Sequence, residues 1–405
     1  MSKKVRHVLG ISGGKDSAAL ALYLKDKYPE IEMEYYYCDT GEELPETYDL
    51  LNNIEGILGK KIIRLSPFEN NDRSPFDKLY EDFRGYLPSS EARWCTKKLK
   101  LEPFEKFVGD DPVVSYVGIR GDEDREGYIS KKSNIQSIFP FRKNIWSEDV
   151  IQKVLQNDAI PFMAAFYNEY AEERKLTRLL ETINRPLSFS FRQLQKLNAL
   201  LDADVKLFNA AVFAFLKTTG YPLAVVEEFP LVDNDEVLVR DDIFRILRDS
   251  SVGVPKYYEK IPFEVNGKKG EYARSRSGCY FCFFQQKIEW VWLFENHLED
   301  FLKAELYEKG DYTWMQGETL RELIGVPYQD EHGNEILLCE VEEEHGIKKV
   351  IWINHEILAK RNAVRTDEIK EDYIKKASKG NKSTSLYLLD ILDDSEGEGC
   401  AACFI

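Results

Sequence analysis

Residues 12 to 17 of this 405-residue chain read Ser12-Gly13-Gly14-Lys15-Asp16-Ser17, set between the apolar run Val5 to Ile11 and the helix-patterned stretch Ala18 to Tyr28. Two adjacent glycines let the backbone turn sharply and approach an anion without a Cβ in the way, and their N-H groups point inward as a cradle. A helix that opens at that point adds its positive end, about half a unit charge. Lys15 brings a full charge, while Ser12 and Ser17 bring hydroxyls. A strand, an anion-cradling turn and a helix in this order predict a chain that handles the phosphates of a nucleotide. The spacing is not that of a Walker A loop, which needs four residues between its first glycine and its Gly-Lys.

The first 120 residues continue the rhythm. Strand-like runs are Val5 to Ile11, Met33 to Cys38, Lys61 to Leu65 and Val113 to Ile119, and helical stretches are Asp16 to Tyr28, Pro45 to Leu58 and Thr96 to Val108. Pro45 suits a first helical position and Gly59 a position just past a helix end. Such alternation predicts an α/β fold, a parallel doubly wound sheet with helices on both faces. Ligands of such sheets lie beyond the carboxyl ends of the strands, at the switch point. Ile11-Ser12, Cys38-Asp39 and Ile119-Arg120 all fall at strand carboxyl ends, so they are expected to converge on one crevice.

From Trp146 onward the pattern changes. Ser147 can cap a helix to about Asn157, with Glu148 and Asp149 in its first turn. Helix-period stretches then dominate from Pro161 to about Asp249, among them Leu194 to Lys217, whose aromatics read as core. Phe263 to Tyr272 predicts a hairpin around Asn266-Gly267, Ile288 to about Tyr307 a helix, and Ile336 to Val341 with Lys348 to Ile353 a second hairpin. Lys376 to Ser385 is polar linker, and the acidic stretch Asp393 to Gly399 leads to Cys400-Ala401-Ala402-Cys403. The expected organisation is a nucleotide domain over 1–160, a helical insertion over 161–254, a cysteine knuckle and hairpin region over 255–383, and an acidic tail with a CxxC pair over 384–405.

With 43% hydrophobic residues the chain can bury a sizeable core. No apolar run approaches 18 residues and the Met-Ser-Lys-Lys start lacks a hydrophobic signal region, so a soluble, cytoplasmic protein with no membrane partner is expected. A formal net charge of −16 argues against a chain that holds nucleic acid by itself, because that affinity rests on Lys and Arg neutralising phosphates. Local basic groups exist nonetheless: Lys97-Lys98 with Lys100, Arg120 with Arg125, Lys131-Lys132, and Arg274 with Arg276. The five histidines are scattered without metal-ligand spacing.

Seven cysteines in a reducing compartment point to metal, cluster or redox chemistry rather than a disulfide framework. Cys279-x2-Cys282 and Cys400-x2-Cys403 suit a zinc knuckle as well as an iron-sulfur cluster, and spacing does not choose between them. Cys38 and Cys339 lie in strand patterns and read as buried hydrophobes.

The Ser12 to Ser17 string resembles the PP-loop of the N-type ATP pyrophosphatases. Asp39-Thr40-Gly41-Glu42-Glu43-Leu44-Pro45-Glu46-Thr47, Arg93-Trp94-Cys95-Thr96-Lys97-Lys98-Leu99-Lys100, Gly118-Ile119-Arg120 and Ser277-Gly278-Cys279-Tyr280-Phe281-Cys282 resemble elements of the phosphoadenosine phosphosulfate (PAPS) reductase-like branch. The likeness covers residues 5 to 160 and 272 to 295 and is absent between them. It implies an adenine nucleotide alpha hydrolase-like sheet carrying a helical insertion and a C-terminal cysteine-containing region. In sulfonucleotide reductases a double cysteine before an LK element pairs with a later CxxC to hold a 4Fe-4S cluster. Here Trp94 takes one of those positions, which leaves Cys95, Cys279 and Cys282 as ligands of an iron-sulfur or zinc centre. Cys400 or Cys403 could complete the set or carry a persulfide.

The RWCT element, the GCxxC and the cysteine-containing end look most like the ATP pyrophosphatase subunits of DNA phosphorothioation systems of the Dnd/Ssp type. That resemblance implies cleavage of ATP to AMP and pyrophosphate with adenylation of a phosphate oxygen, sulfur from a cysteine desulfurase, and DNA reached through a partner subunit. A sulfonucleotide reductase, a tRNA sulfurtransferase and a non-catalytic nucleotide-sensing scaffold are the alternatives. On the first reading Ser12, Gly13, Gly14, Lys15, Asp16, Ser17, Asp39, Gly118 and Arg120 bind ATP, and Lys15, Asp16, Cys95 and Arg120 are catalytic. Lys15, the loop amides and a magnesium ion stabilise the leaving pyrophosphate, and Arg120 binds a phosphate of the substrate. Asp16 and Asp39 are the candidate carboxylates for the ion, although Asp16 could instead cap the helix and Asp39 orient the ribose.

Overall fold

The structure, a computed structural model, describes residues 4–68, 73–123, 130, 132–344, 347–360 and 363–380. A parallel sheet of five strands lies at its centre: β1 (Arg6–Gly10), β2 (Met33–Cys38), β3 (Ile62–Leu65), β4 (Val113–Tyr116) and β5 (Ile135–Ile138), in the order β3-β2-β1-β4-β5. The helices between them are α1 (Lys15–Lys27), α2 (Pro45–Leu58), α3 (Pro75–Asp82) and α4 (Glu102–Val108). Because side chains alternate across a strand, each strand feeds two cores. Leu9, Tyr35, Tyr37, Val114 and Tyr116 face the layer that holds α1 and α2, while Val8, Tyr36, Cys38 and Val113 pack with Phe104 and Val108 of α4 on the other side. The α/β expectation therefore holds, with a fifth strand, β5, that the reading of the first 120 residues did not reach.

The strand order reverses between β1 and β4. The chain runs outward from β1 through β2 to β3, then returns to the other side of β1, and this places the switch point at the carboxyl ends of β1 and β4. The segment Thr96–Leu101, expected as ordinary α-helix, is a π-helical turn running into α4. Pro103 explains the widening: it donates no hydrogen bond, and its ring would crowd the carbonyl four residues back in a tight turn.

After the sheet come α5 (Glu148–Leu155), α6 (Ile160–Tyr170), α7 (Glu173–Asn184), α8 (Gln193–Ala203), α9 (Val205–Leu216) and α10 (Arg240–Asp249). Their apolar faces share one continuous core with α1 and the sheet, in which Met163, Tyr167, Leu200, Phe208 and Leu247 are all fully buried. The expected single helix from Leu194 to Lys217 is broken at Asp204, which is extended (φ −166°) and accepts the Leu207 amide at 3.0 Å. A side chain that can cap a new helix competes with continuing the old one.

The remaining elements are the hairpin β6 (Ile261–Val265) and β7 (Lys268–Tyr272), α11 (Lys287–Asn296), α12 (Leu298–Leu306), α13 (Leu320–Leu323), the hairpin β8 (Cys339–Glu344) and β9 (Ile347–Ile353), α14 (His355–Ala359) and α15 (Ala363–Gly380). Asn266 and Gly267 both take positive φ (49° and 72°), the two-residue turn their sequence predicts. Two boundaries move. The helix expected from Ile288 to Tyr307 bends at His297 (φ −137°), where the ring nitrogens reach Glu46 and Asp300, and β8 begins at Cys339 because that buried residue pairs with Ile353. Residues 376–380 of the expected linker belong to α15. These elements form a second core with α3, Trp94 and Leu99. Among the described residues no helix is long and apolar enough to cross a membrane.

Candidate active site

The Ser12–Ser17 loop lies at the carboxyl end of β1, on the switch point. Gly13 has φ +78°, and a Cβ there would stand 2.5 Å from Thr47 Cγ2, so both conformation and space require glycine. The loop is tied internally. The Ser17 hydroxyl accepts the Ser12 amide at 3.1 Å and donates to the Gly14 carbonyl at 3.2 Å, and the Ser12 hydroxyl accepts the Gly14 amide at 3.4 Å. Gly118, past the end of β4, lets the second strand close on the first turn of α1: a Cβ there would lie 2.9 Å from the Asp16 carbonyl.

Three buried charges meet at this point. Lys15, Asp16 and Arg120 are each 2% exposed. Asp16 Oδ1 pairs with Arg120 Nη1 at 3.0 Å and Oδ2 lies 3.4 Å from Lys15 Nζ. Arg120 also holds Asp122 at 2.9 Å and Glu123 at 2.8 Å. The structure thus brings Lys15, Asp16 and Arg120 together as the sequence predicts, in a chain of alternating sign. The guanidinium of Arg120 is engaged with three carboxylates, so in this arrangement it anchors the loop's first helical turn.

The other half of the molecule covers the loop, which no sequence signal announced. The Tyr257 hydroxyl donates to the Gly13 carbonyl at 2.5 Å, and the Tyr258 hydroxyl accepts the Lys15 amide at 3.4 Å. Lys15 Nζ sits 5.0 Å from the Tyr258 ring centre, a cation-π contact, and the Ser277 hydroxyl donates to the Ser12 carbonyl at 3.4 Å. Tyr257 and Tyr258 precede a hairpin some 240 residues downstream, where nothing in their spacing relates them to the loop.

The segment after β2 docks on the cysteine knuckle. Asp39 accepts the Gly41 amide at 2.9 Å and the Tyr48 hydroxyl at 3.1 Å, with Arg64 at 3.9 Å from its second oxygen. Glu43 forms an isolated antiparallel bridge with Cys279, and the Tyr280 amide donates to the Glu42 carbonyl at 2.9 Å. Both carboxylates turn inward. Burial, with Asp77 nearby, pushes the Glu42 carboxyl up to about 7, and the Tyr280 hydroxyl donates to it at 2.7 Å. Burial and neighbouring Asp39 likewise raise Glu43, whose oxygens accept Thr40 at 2.6 Å and Tyr48 at 3.2 Å.

Cys95, Cys279 and Cys282 line one cavity of about 60 Å³, enclosed by Phe76, Leu99, Phe281 and Trp314 and reached by Lys100, Arg274 and Arg276. Burial, with Glu43 close by, holds the Cys279 thiol well above its usual range, and Thr40 Oγ1 lies 3.2 Å from its sulfur. None of the five described cysteines is in a disulfide. Among the described residues no group of three or more His, Cys, Asp or Glu side chains is gathered closely enough to hold a metal ion, so the three cysteines share a cavity without forming a preassembled ligand set. The donors suit an iron-sulfur or zinc centre in kind, being thiols around a space bordered by cations that would offset a negative metal-thiolate charge. Cys38 and Cys339 are buried in strands, 6% and 3% exposed. Cys400, Cys403, Arg125 and Lys131 lie outside the described residues.

Residues 6–172 match the family described as the phosphoadenosine phosphosulfate reductase domain. Two proteins of Methanocaldococcus jannaschii are similar to the chain. The uncharacterized protein MJ0066 is 34% identical over 155 residues, 34% of this chain and 30% of that protein. The uncharacterized protein MJ0973 is 25% identical over 159 residues, 36% of each. The match therefore spans only about a third of the length of either relative. Residues 6–172 are therefore similar to the phosphoadenosine phosphosulfate reductase domain, and the five-stranded parallel sheet with the loop at its switch point is the α/β architecture consistent with that similarity.

Proposed function

We propose that this chain is an ATP pyrophosphatase that adenylates a phosphate oxygen and so prepares it for sulfur insertion, with DNA phosphorothioation as the setting. The observation that carries the reading is the Ser12–Ser17 loop at the switch point, with Lys15 and the N-terminus of α1, next to a cavity lined by three cysteines whose wall residue Ser277 donates to the Ser12 carbonyl. An acceptor oxygen attacks the α-phosphorus of ATP and pyrophosphate leaves. Negative charge grows on the leaving group, where the loop amides and Lys15 stabilise it. A sulfur nucleophile then displaces AMP.

Tyr258 must yield the Lys15 amide for a phosphate to take it, and its ring remains the surface against which Lys15 is held. Asp39, with its side chain 23% exposed against 3% for Asp16, is the carboxylate more open to a magnesium ion that accompanies the nucleotide. Cys95, Cys279 and Cys282 would hold an iron-sulfur or zinc centre, which supplies a site for sulfur bound as sulfide. A cysteine desulfurase is the proposed sulfur source, and DNA presented by a partner subunit accords with the net charge of −16.

The test is product analysis with ATP and magnesium on the full chain. AMP and pyrophosphate are expected, with turnover falling roughly tenfold or more in Lys15→Ala, the scale of a lost transition-state charge contact. ADP and inorganic phosphate would refute the assignment. The match of residues 6–172 to the PAPS reductase domain supports sulfonucleotide reduction as the second reading, and release of sulfite from PAPS with an added dithiol as the two-electron reductant, without ATP turnover, would favour it.

A further inference from the structure

Residues lining the cysteine cavity carry buried polar atoms that the fold leaves without a hydrogen-bond partner. Arg274 is 3% exposed; its Nη2 donates to the Cys279 carbonyl at 3.1 Å, while its Nε and Nη1 are buried and make no hydrogen bond. Both amide atoms of Gln285 are likewise buried and unpartnered. Arg274 and Gln285 line the same cavity of about 60 Å³ as the three cysteines. Its lining includes three cations, Lys100, Arg274 and Arg276, against the one carboxylate of Glu289. That carboxylate is already taken: it accepts the Ser275 amide at 2.8 Å, the Ser275 hydroxyl at 2.9 Å and the Gln286 amide at 2.9 Å. A buried guanidinium with two idle nitrogens is costly, and in a chain of net charge −16 it stands out.

We propose that this cavity is a binding site for a small sulfur-centred anion, with Arg274 and Gln285 as the groups that hold it. The cavity and the unpartnered donors establish the anion; naming sulfur rests on the sulfur-transfer reading above and on the thiols that share the walls. Hydrosulfide fits both. Its sulfur is already fully reduced, so displacement of AMP from an adenylated phosphate forms the phosphorus-sulfur bond, breaks the bond to the adenylated oxygen, releases AMP carrying that oxygen and needs no outside reductant. The same anionic sulfur could arrive as free hydrosulfide or as sulfide already bound in an iron-thiolate centre.

Sodium hydrosulfide is titrated anaerobically by calorimetry into the full chain, once as purified and once after removal of metal by a chelator, with chloride and sulfate as controls. Saturable binding to the metal-free chain is expected, weakened roughly tenfold or more in Arg274→Met and measurably in Gln285→Leu, while Arg274→Lys retains most of it. If the sulfur instead resides in a metal centre, iron and acid-labile sulfide will co-purify with the wild type and be lost in both variants although every cysteine remains. ATP affinity, measured on the same samples, should not change; this separates failure of the anion site from failure of the nucleotide reading and from misfolding. Equal binding of chloride or sulfate, or wild-type hydrosulfide affinity and iron content in both Arg274→Met and Gln285→Leu, would overturn the proposal.

Discussion

The two ends of the site, the Ser12–Ser17 loop and the cysteine cavity that Ser277 joins to it, treat buried charge in opposite ways. At the Ser12–Ser17 loop Lys15, Asp16 and Arg120 alternate in sign, Arg120 also holds Asp122 and Glu123, and all are paired at 2.8 to 3.4 Å. At the cysteine cavity Arg274 keeps Nε and Nη1 without a hydrogen-bond partner, its guanidinium carbon 5.9 Å from the Trp292 ring centre. A chain of paired charges is a scaffold that holds a backbone cradle in shape whether or not a ligand is present. A buried charge with idle donors is unfinished by itself and gains its partners from a ligand.

The contrast is sharpest for the two arginines. Arg120→Ala strands Glu123 as an uncompensated buried carboxylate and leaves Asp16 with only Lys15 at 3.4 Å, and a loss of about 3 to 5 kcal/mol in urea unfolding is expected. A cost below about 1 kcal/mol would mean that water reaches this network and that the scaffold description fails. Next in size is Glu42, beneath the knuckle. Its folded carboxyl keeps a proton up to about pH 7, whereas the unfolded one loses it near 4.5. Stability is therefore greatest below the unfolded value and declines as pH rises through 7, by up to about 3 kcal/mol. Glu42→Gln can still accept the Tyr280 hydroxyl and does not ionise. Its urea midpoint should match the wild type at pH 4.5 and exceed it at pH 8; parallel pH profiles would remove Glu42 as the cause.

Gly118→Ala forces a Cβ to within 2.9 Å of the Asp16 carbonyl, where only backbone can give way. About 1 to 3 kcal/mol is expected, with a weaker ATP affinity as the readout specific to the loop. Arg274→Met should show the smallest effect, under about 1 kcal/mol without ligand, because it removes two unsatisfied donors along with one hydrogen bond. A destabilisation comparable to that of Arg120→Ala would show that the two ends are alike after all.

Much of the first end was legible from local sequence. Gly13, Lys15 and Ser17 act within one turn of chain, and Gly118-Ile119-Arg120 follows a strand, so their positions depend on short-range geometry that the alternation of apolar runs already implies. The breaks at Asp204 and His297 were not legible, because an apolar helical pattern runs through both and each break is decided by what a side chain captures: the Leu207 amide in one case, Glu46 and Asp300 in the other. The CxxC of Cys279 and Cys282 was visible as a motif, but the idle donors of Arg274 and Gln285 were not, since whether a polar atom has a partner is a property of its surroundings.

The amino-acid sequence alone determined a parallel α/β sheet, a glycine-rich loop carrying Lys15 at the end of its first strand, and the pair Cys279 and Cys282. These follow from periodicity, glycine placement and residue type, which act over a few residues. Only the tertiary structure decided that Tyr257, Tyr258 and Ser277 fold back over that loop, that Glu43 bridges to Cys279, and that Cys95 meets Cys279 and Cys282 around one cavity. Those contacts join segments up to about 265 residues apart, and they are set by two hydrophobic cores closing against each other, a process that depends on the whole chain at once.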